Sequence, residues 1–323
     1  MKVLLYRILL ASALTGALVA CSAGPNKTDT TATQARPHSI AASTDLAGVT
    51  ITVGSKEFTE QRILGEILIK TLSAAGASVK DETGLAGSTA RTALEKGRID
   101  IYYEYTGTAW ISGLKRTTPV PGEQAQFDAV KSADAKNGIT WLAVAPGNNT
   151  YAIAANDTVM KKYSPEAISD FAQLANENPG AAGLCTEAEF VNRDDGLPGL
   201  EDHYGFALPD AQISQLDYGL VYASVTKGNP CDFAVVFATD GQIKANHLTV
   251  LKDDKEFFPL YNVAISMNSD VYSAHPRSYD ELFGALNKLL TNEQLIEMNA
   301  AVDVEGRNVD EVVDEFLRAA NVT

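Results

Sequence analysis

The sequence predicts an α/β protein with a mostly parallel sheet, and three observations carry that expectation. Short β-branched strands alternate with helix-length apolar stripes along most of the chain. At 323 residues the chain is long enough for two ordinary domains. The turn-rich run Pro146-Gly147-Asn148-Asn149, after which strand character resumes at Tyr151, is a natural place for the chain to cross between them.

Taken in order, residues 49–53 alternate as a strand, and Gly54-Ser55-Lys56 turns that strand into a helix. Thr59 reads as the N-cap of this helix, and Phe58 with Ile63 has the spacing of a hydrophobic staple. Ile63 and Ile67, with Leu64, Leu68 and Leu72, form a helical stripe that stops at Gly76. A strand over 77–82 and a helix over about 88–95 follow. The turn Gly97-Arg98 then leads into a strand that carries Tyr102, Tyr103 and Tyr105 and stops before Gly107, where a new helix begins. Such a strand end is where α/β folds place ligand groups; the alternative for a tyrosine there is packing beneath a sheet edge. A polar helix over 121–137 and a strand over 140–145 lead to the crossing. Beyond it the pattern repeats, with helices over 168–175 and 215–225 and strands over 182–185, 232–237 and 248–251. A strand over 261–266 returns, and helices over 279–290, 293–300 and 309–320 close the chain.

The N-terminus carries Lys2 and Arg7 and then an apolar stretch over 8–20, too short and too lightly flanked for a stable membrane anchor. It ends in Leu18-Val19-Ala20-Cys21, which resembles a bacterial lipobox. That resemblance implies a signal peptide over 1–20, cut before Cys21, whose lipidated thiol anchors the protein to the extracytoplasmic face of the cell membrane. An ordinary secretory signal is the alternative. Residues 22–45, rich in Ser, Thr, Ala and Pro, read as a flexible tether. No later apolar run is long enough to span a bilayer, so any transport falls to separate subunits. The net charge of −15 argues against nucleic acid as a partner, because a phosphate backbone would be repelled. Cys185 and Cys231 lack the spacing of a metal or redox pair and read equally as a disulfide or as two separate thiols. His38, His203, His247 and His275 are scattered, so neither a metal site nor a cofactor is expected.

Several motifs carry a family resemblance. Gly54-Ser55-Lys56-Glu57-Phe58-Thr59-Glu60-Gln61 and Glu104-Tyr105-Thr106-Gly107-Thr108 resemble the substrate-binding lipoproteins of osmoprotectant ABC importers, the glycine betaine, carnitine and choline binders. Asn148-Asn149-Thr150-Tyr151, Phe190 to Gly196, Thr239-Asp240-Gly241, Leu251 to Asp254 and Phe258-Pro259-Leu260-Tyr261 match in the family's order across the mature chain. The resemblance implies a two-lobed, type II periplasmic-binding-protein-like fold with two crossing hinge strands. It divides the chain into lobe one, 46–148 plus 256–323, and lobe two, 149–255. It implies a quaternary ammonium ligand, which cannot donate hydrogen bonds and is held by aromatic faces. By motif those are Tyr105, Tyr151, Phe237 and Tyr261, with Phe237 standing where the family usually has Tyr. A ligand carboxylate would fall to Lys56, Thr108 and Arg193. An ABC permease and its ATPase are the implied partners.

Enzyme motifs are missing from the sequence. It holds no G-x-S-x-G elbow, no Walker loop and no G-x-G-x-x-G after a strand. The adjacent acids Asp194/Asp195 and Asp253/Asp254 read as turn residues, so a non-enzymatic binder is expected. A lipoprotein hydrolase and a solute-binding sensor subunit are the alternatives.

Overall fold

Alternating burial sorts the strands into sheets whose two faces are both covered. The computed structural model describes residues 39–85, 89–116, 118, 120–192 and 196–323. The expected signal peptide, Cys21, the tether to residue 38, and Arg193 lie outside the described residues. Strands β1 (Thr50–Lys56), β2 (Ser78–Leu85), β3 (Ile101–Tyr105) and β4 (Ile139–Asn148) come first. After the crossing come β5 (Tyr151–Ala155), β6 (Leu184–Thr186), β7 (Ile213–Gln215), β8 (Phe233–Phe237) and β9 (Thr249–Val250), and then β10 (Asn262–Asn268). They form two five-stranded sheets, ordered β2-β1-β3-β10-β4 and β7-β6-β8-β5-β9.

In the first sheet every residue of β3 is buried. Ile101, Tyr103 and Tyr105 join the core under the helix Thr59–Ala74 and the C-terminal helices, and Tyr102 joins the opposite core with Trp141 and Phe127. The second sheet divides the same way. Ile153, Leu184, Phe233 and Val235 face one core, and Ala152, Ala154, Ala234 and Val236 face the other. This period of two is the strand signature read in the sequence.

The expectation of a mostly parallel sheet is corrected. β1 runs parallel to β2 and β3, but β10 lies antiparallel between β3 and β4, and β5 lies antiparallel between β8 and β9. Both exceptions adjoin the crossings, where the chain passes from one sheet to the other and back, so the crossings make both sheets mixed.

Local differences have local causes. The helix Thr59–Ala74 carries the expected stripe, with Ile63, Leu64, Ile67, Leu68 and Leu72 fully buried. Its N-cap position, however, is Phe58, without a side-chain cap; the Thr59 hydroxyl donates to Asp303 at 2.6 Å instead. Phe58 thus holds the N-cap and not the N′ position that the staple spacing assumes, and its ring stacks on Tyr105, ring centroids 6.3 Å apart. The run at 146–149 extends a strand rather than making a turn: Asn148 pairs with Asn262, and the Gly147 amide donates to Leu290 O at 2.7 Å. Gln215 ends β7, and the following helix starts at Tyr218. Helices Asp157–Tyr163, Leu197–Tyr204 and Ser269–Ala274 have no counterpart in the sequence reading. The first of these is capped by Asn156, which accepts from the Val159 amide at 3.0 Å.

Cys185 in β6 and Cys231 just before β8 are joined by a disulfide, their Cα atoms 5.6 Å apart. No helix of the described residues is long and apolar enough to cross a membrane.

Candidate ligand-binding site

The topology gathers the sequence-predicted residues at one edge of each sheet. Lys56, Tyr105 and Phe237 end β1, β3 and β8. Tyr151 begins β5, and Tyr261 immediately precedes β10; both strands are antiparallel to their neighbours, so their starts lie beside those ends. The mouth formed by carboxyl ends of strands is the usual ligand position in an open α/β sheet.

In the second sheet Tyr151 sits directly opposite Phe237 on the neighbouring strand. Their rings stack with centroids 5.0 Å apart, and Phe190 adjoins Tyr151 at 5.3 Å. Such a ring pair contributes about 0.5–1.5 kcal/mol beyond its buried area, so the platform is set before any ligand arrives. Tyr151, Phe237 and Tyr261 are half-buried, which leaves ring surface available. Tyr261 lies against Gly107, where a Cβ would meet its ring at 2.8 Å. Only glycine permits that approach.

On the first sheet the groups are more enclosed. Tyr105 is 5% exposed, and its phenol donates to Glu60 Oε1 at 2.6 Å. Burial, and next the Glu60 carboxylate, push that phenol well above its ordinary pKa, so it stays a donor. The Lys56 ammonium lies 5.3 Å from the centroid of the Tyr105 ring and is paired with Glu104. Glu104 is fully engaged: it also accepts from the Tyr102 phenol at 2.8 Å and from the Tyr105 amide at 2.9 Å. Thr108 closes the short helix Thr106–Thr108 and is half-buried. Arg193 lies outside the described residues, so its place in the site stays an expectation.

A cleft of about 290 Å³ opens between elements of the two sheets. Phe58, Glu60, Asn149, Phe237, Asn299 and Asp303 are among its lining residues, together with Thr239-Asp240-Gly241. The described lining holds three acids and no basic side chain. Two larger hollows, of about 380 Å³ and 370 Å³, are lined by none of the predicted site residues. Chemistry outweighs size here, and the cleft with Phe237 is the candidate.

Sequence reasoning did not single out Glu60, Glu104 and Asn299, which the structure places in contact with Tyr105 or in the lining of the cleft. Glu60 had a readable signal. It stands three and four residues before Ile63 and Leu64, so it falls on the apolar stripe of its helix, where an unpaired acid is costly. Asn299 carried none, because its role depends on the return of a distant helix.

The likenesses to known proteins fit this geometry. A family model described as the substrate binding domain of ABC-type glycine betaine transport system matches residues 49–319. The chain is 35% identical over 274 residues to the glycine-betaine-binding protein of Pseudomonas aeruginosa PAO1, covering 83% of this chain and 87% of that one. It is 33% identical to the ergothioneine transport permease/ergothioneine binding protein EgtU of Helicobacter pylori G27, covering 83% of this chain and 47% of that one. The solved structure of apo YehZ from Escherichia coli superposes with a TM-score of 0.79 at 28% identity, covering 86% of this chain and all of that one. That superposition identifies the fold as a two-lobed, type II periplasmic binding protein. The chain therefore belongs to the family of substrate-binding domains of ABC-type glycine betaine transport systems, and it is a solute-binding protein rather than an enzyme.

Proposed function

We propose that the protein captures a quaternary ammonium osmolyte, with glycine betaine, proline betaine, carnitine and choline as the candidate class, and delivers it to a membrane permease driven by an ATPase. The observation that carries this reading is the cleft, where two aromatic rings, Phe58 and Phe237, and three carboxyl groups line a space without a described basic residue. That surface suits a cation that cannot donate hydrogen bonds. The cage is Tyr105, Tyr151, Phe237 and Tyr261. A ligand carboxylate turns toward Thr108, Arg193 and Lys56, whose ammonium has three donors and shares one with Glu104. Lobe one comprises 46–148 and 256–323 and lobe two 149–255; a ligand that touches both is held when they close. Cys21 carries the lipid that keeps the protein at the extracytoplasmic face of the membrane.

Calorimetry with glycine betaine, proline betaine, carnitine, choline, ectoine and ergothioneine tests the reading, with mass spectrometry on the recovered solutes. Binding of at least one quaternary ammonium compound, returned unchanged, is expected. A solute chemically altered by the protein, or binding of ectoine alone, would contradict it. Loss of fatty-acid labelling in Cys21→Ala is the expected result for the anchor, and retained labelling would contradict it.

A further inference from the structure

Groups from separate parts of the fold close on the Glu60 carboxylate, which is 3% exposed. The Tyr105 phenol reaches Oε1 from β3 at 2.6 Å, and Asn149 Nδ2 reaches the same oxygen from the crossing at 3.1 Å. Asn299 Nδ2, from the helix Asn292–Asp303, reaches Oε2 at 2.9 Å and also donates to Thr239 O at 2.8 Å. All of these donors are neutral. Lys56, next to the Tyr105 ring, is paired with Glu104 instead.

When ionised, a carboxylate held by neutral donors in a poorly solvated place is unfavourable without a cation. The described lining of the cleft supplies none: its other charged groups are Asp240, which caps the helix Gly241–Ala245, and Asp303, which accepts from the Thr59 hydroxyl. The missing positive charge is what a ligand would bring. A quaternary ammonium needs no acceptor, so it can sit near Glu60 without competing for hydrogen bonds already made. A phenol that donates to a carboxylate also gains electron density in its ring, which strengthens the attraction of that ring for a cation.

We infer, building on the ligand class proposed above, that Glu60 is a specificity-determining residue whose negative charge, acting directly and through the Tyr105 ring, favours a cation such as choline over a zwitterion such as glycine betaine. The zwitterion brings its own carboxylate, which the same charge repels.

Calorimetry on the parent protein and Glu60→Gln, with choline and with glycine betaine, reads this out. Glu60→Gln should lower choline affinity on the order of tenfold more than glycine betaine affinity. Equal losses, or none, would overturn the role of Glu60 while leaving the ligand class standing. Binding of neither ligand by the parent would overturn the ligand class and this role together. Mild acid gives a second readout. Burial raises the Glu60 carboxyl above its ordinary value, so acidification neutralises it early and should erode the choline preference of the parent. Asp240 and Asp303 line the same cleft and Tyr105 bonds to Glu60, but all three remain in Glu60→Gln, so a flat preference in that variant isolates Glu60. Tyr105→Phe keeps the ring and removes the shortest hydrogen bond to Glu60, so its preference should erode at higher pH than in the parent. It carries the test if Glu60→Gln does not fold. A choline preference independent of pH in both the parent and Tyr105→Phe would overturn the inference.

Discussion

At the scale of single residues, Glu60 and Gly107 carry the sharpest consequences. Burial raises the Glu60 carboxyl above its ordinary value of 4.5, and the hydrogen bonds it accepts lower it without cancelling that rise. A carboxyl with a raised folded-state pKa favours the fold most when protonated. Its contribution is fully present below about 4.5 and is lost as pH rises through the folded value. Denaturant unfolding of the parent should therefore lose stability relative to Glu60→Gln as pH rises from below 4.5 toward neutrality. A difference that stays constant across that window would contradict the assignment. At Gly107 a Cβ would lie 2.7 Å from Leu260 O and 2.8 Å from the Tyr261 ring. Gly107→Ala should displace that ring and weaken ligand binding by roughly tenfold. Gly284, with nothing within 4 Å of a Cβ, is the control. It lies within the helix Pro276–Leu286, so Gly284→Ala should leave binding unchanged and stabilise the fold by up to about 1 kcal/mol.

At the scale of elements, the disulfide ties β6 to the entry of β8, across a sequence separation of 46. Thr186 and Glu187, just beyond Cys185, line a small hollow with Tyr151 and Phe237, so the bond braces the strand ends beneath the ring platform. Replacing both cysteines with alanine should lower unfolding stability by roughly 2–4 kcal/mol. An unchanged denaturation midpoint would contradict that. All the strands but β7 were legible because alternation of β-branched and apolar residues is a local signal, and the helix Thr59–Ala74 because its stripe runs through several turns; three-residue β7 is too short to show alternation. The cross-strand contact of Tyr151 with Phe237, the antiparallel place of β10 and the Asn299 bridge were not legible from pattern, because each is made by chain returning from far away. The short helix Leu197–Tyr204 was hidden by the Gly and Pro that begin it. The cage positions were named through motif resemblance, and the structure sets them at the ends and starts of interior strands.

At the scale of the whole molecule, the two sheets meet in a seam as well as a cleft. A Cβ on Gly241 would lie 2.3 Å from the Ala300 amide nitrogen, so the helix Gly241–Ala245 abuts Asn292–Asp303 backbone to backbone. Lys244 pairs with Glu297 along the same contact, and Asn299 bridges Glu60 to Thr239 O. A ligand in the adjoining cleft touches groups on both sides of this seam, which couples binding to the relation between the sheets. The central claim is that aromatic faces recognise the methylated ammonium itself. Calorimetry of the parent protein with glycine betaine, dimethylglycine, sarcosine and glycine tests it most directly. Affinity should fall with each methyl group removed, by on the order of tenfold or more across the series, as cation–π contact and apolar burial are lost together. Glycine binding as tightly as glycine betaine would contradict the account.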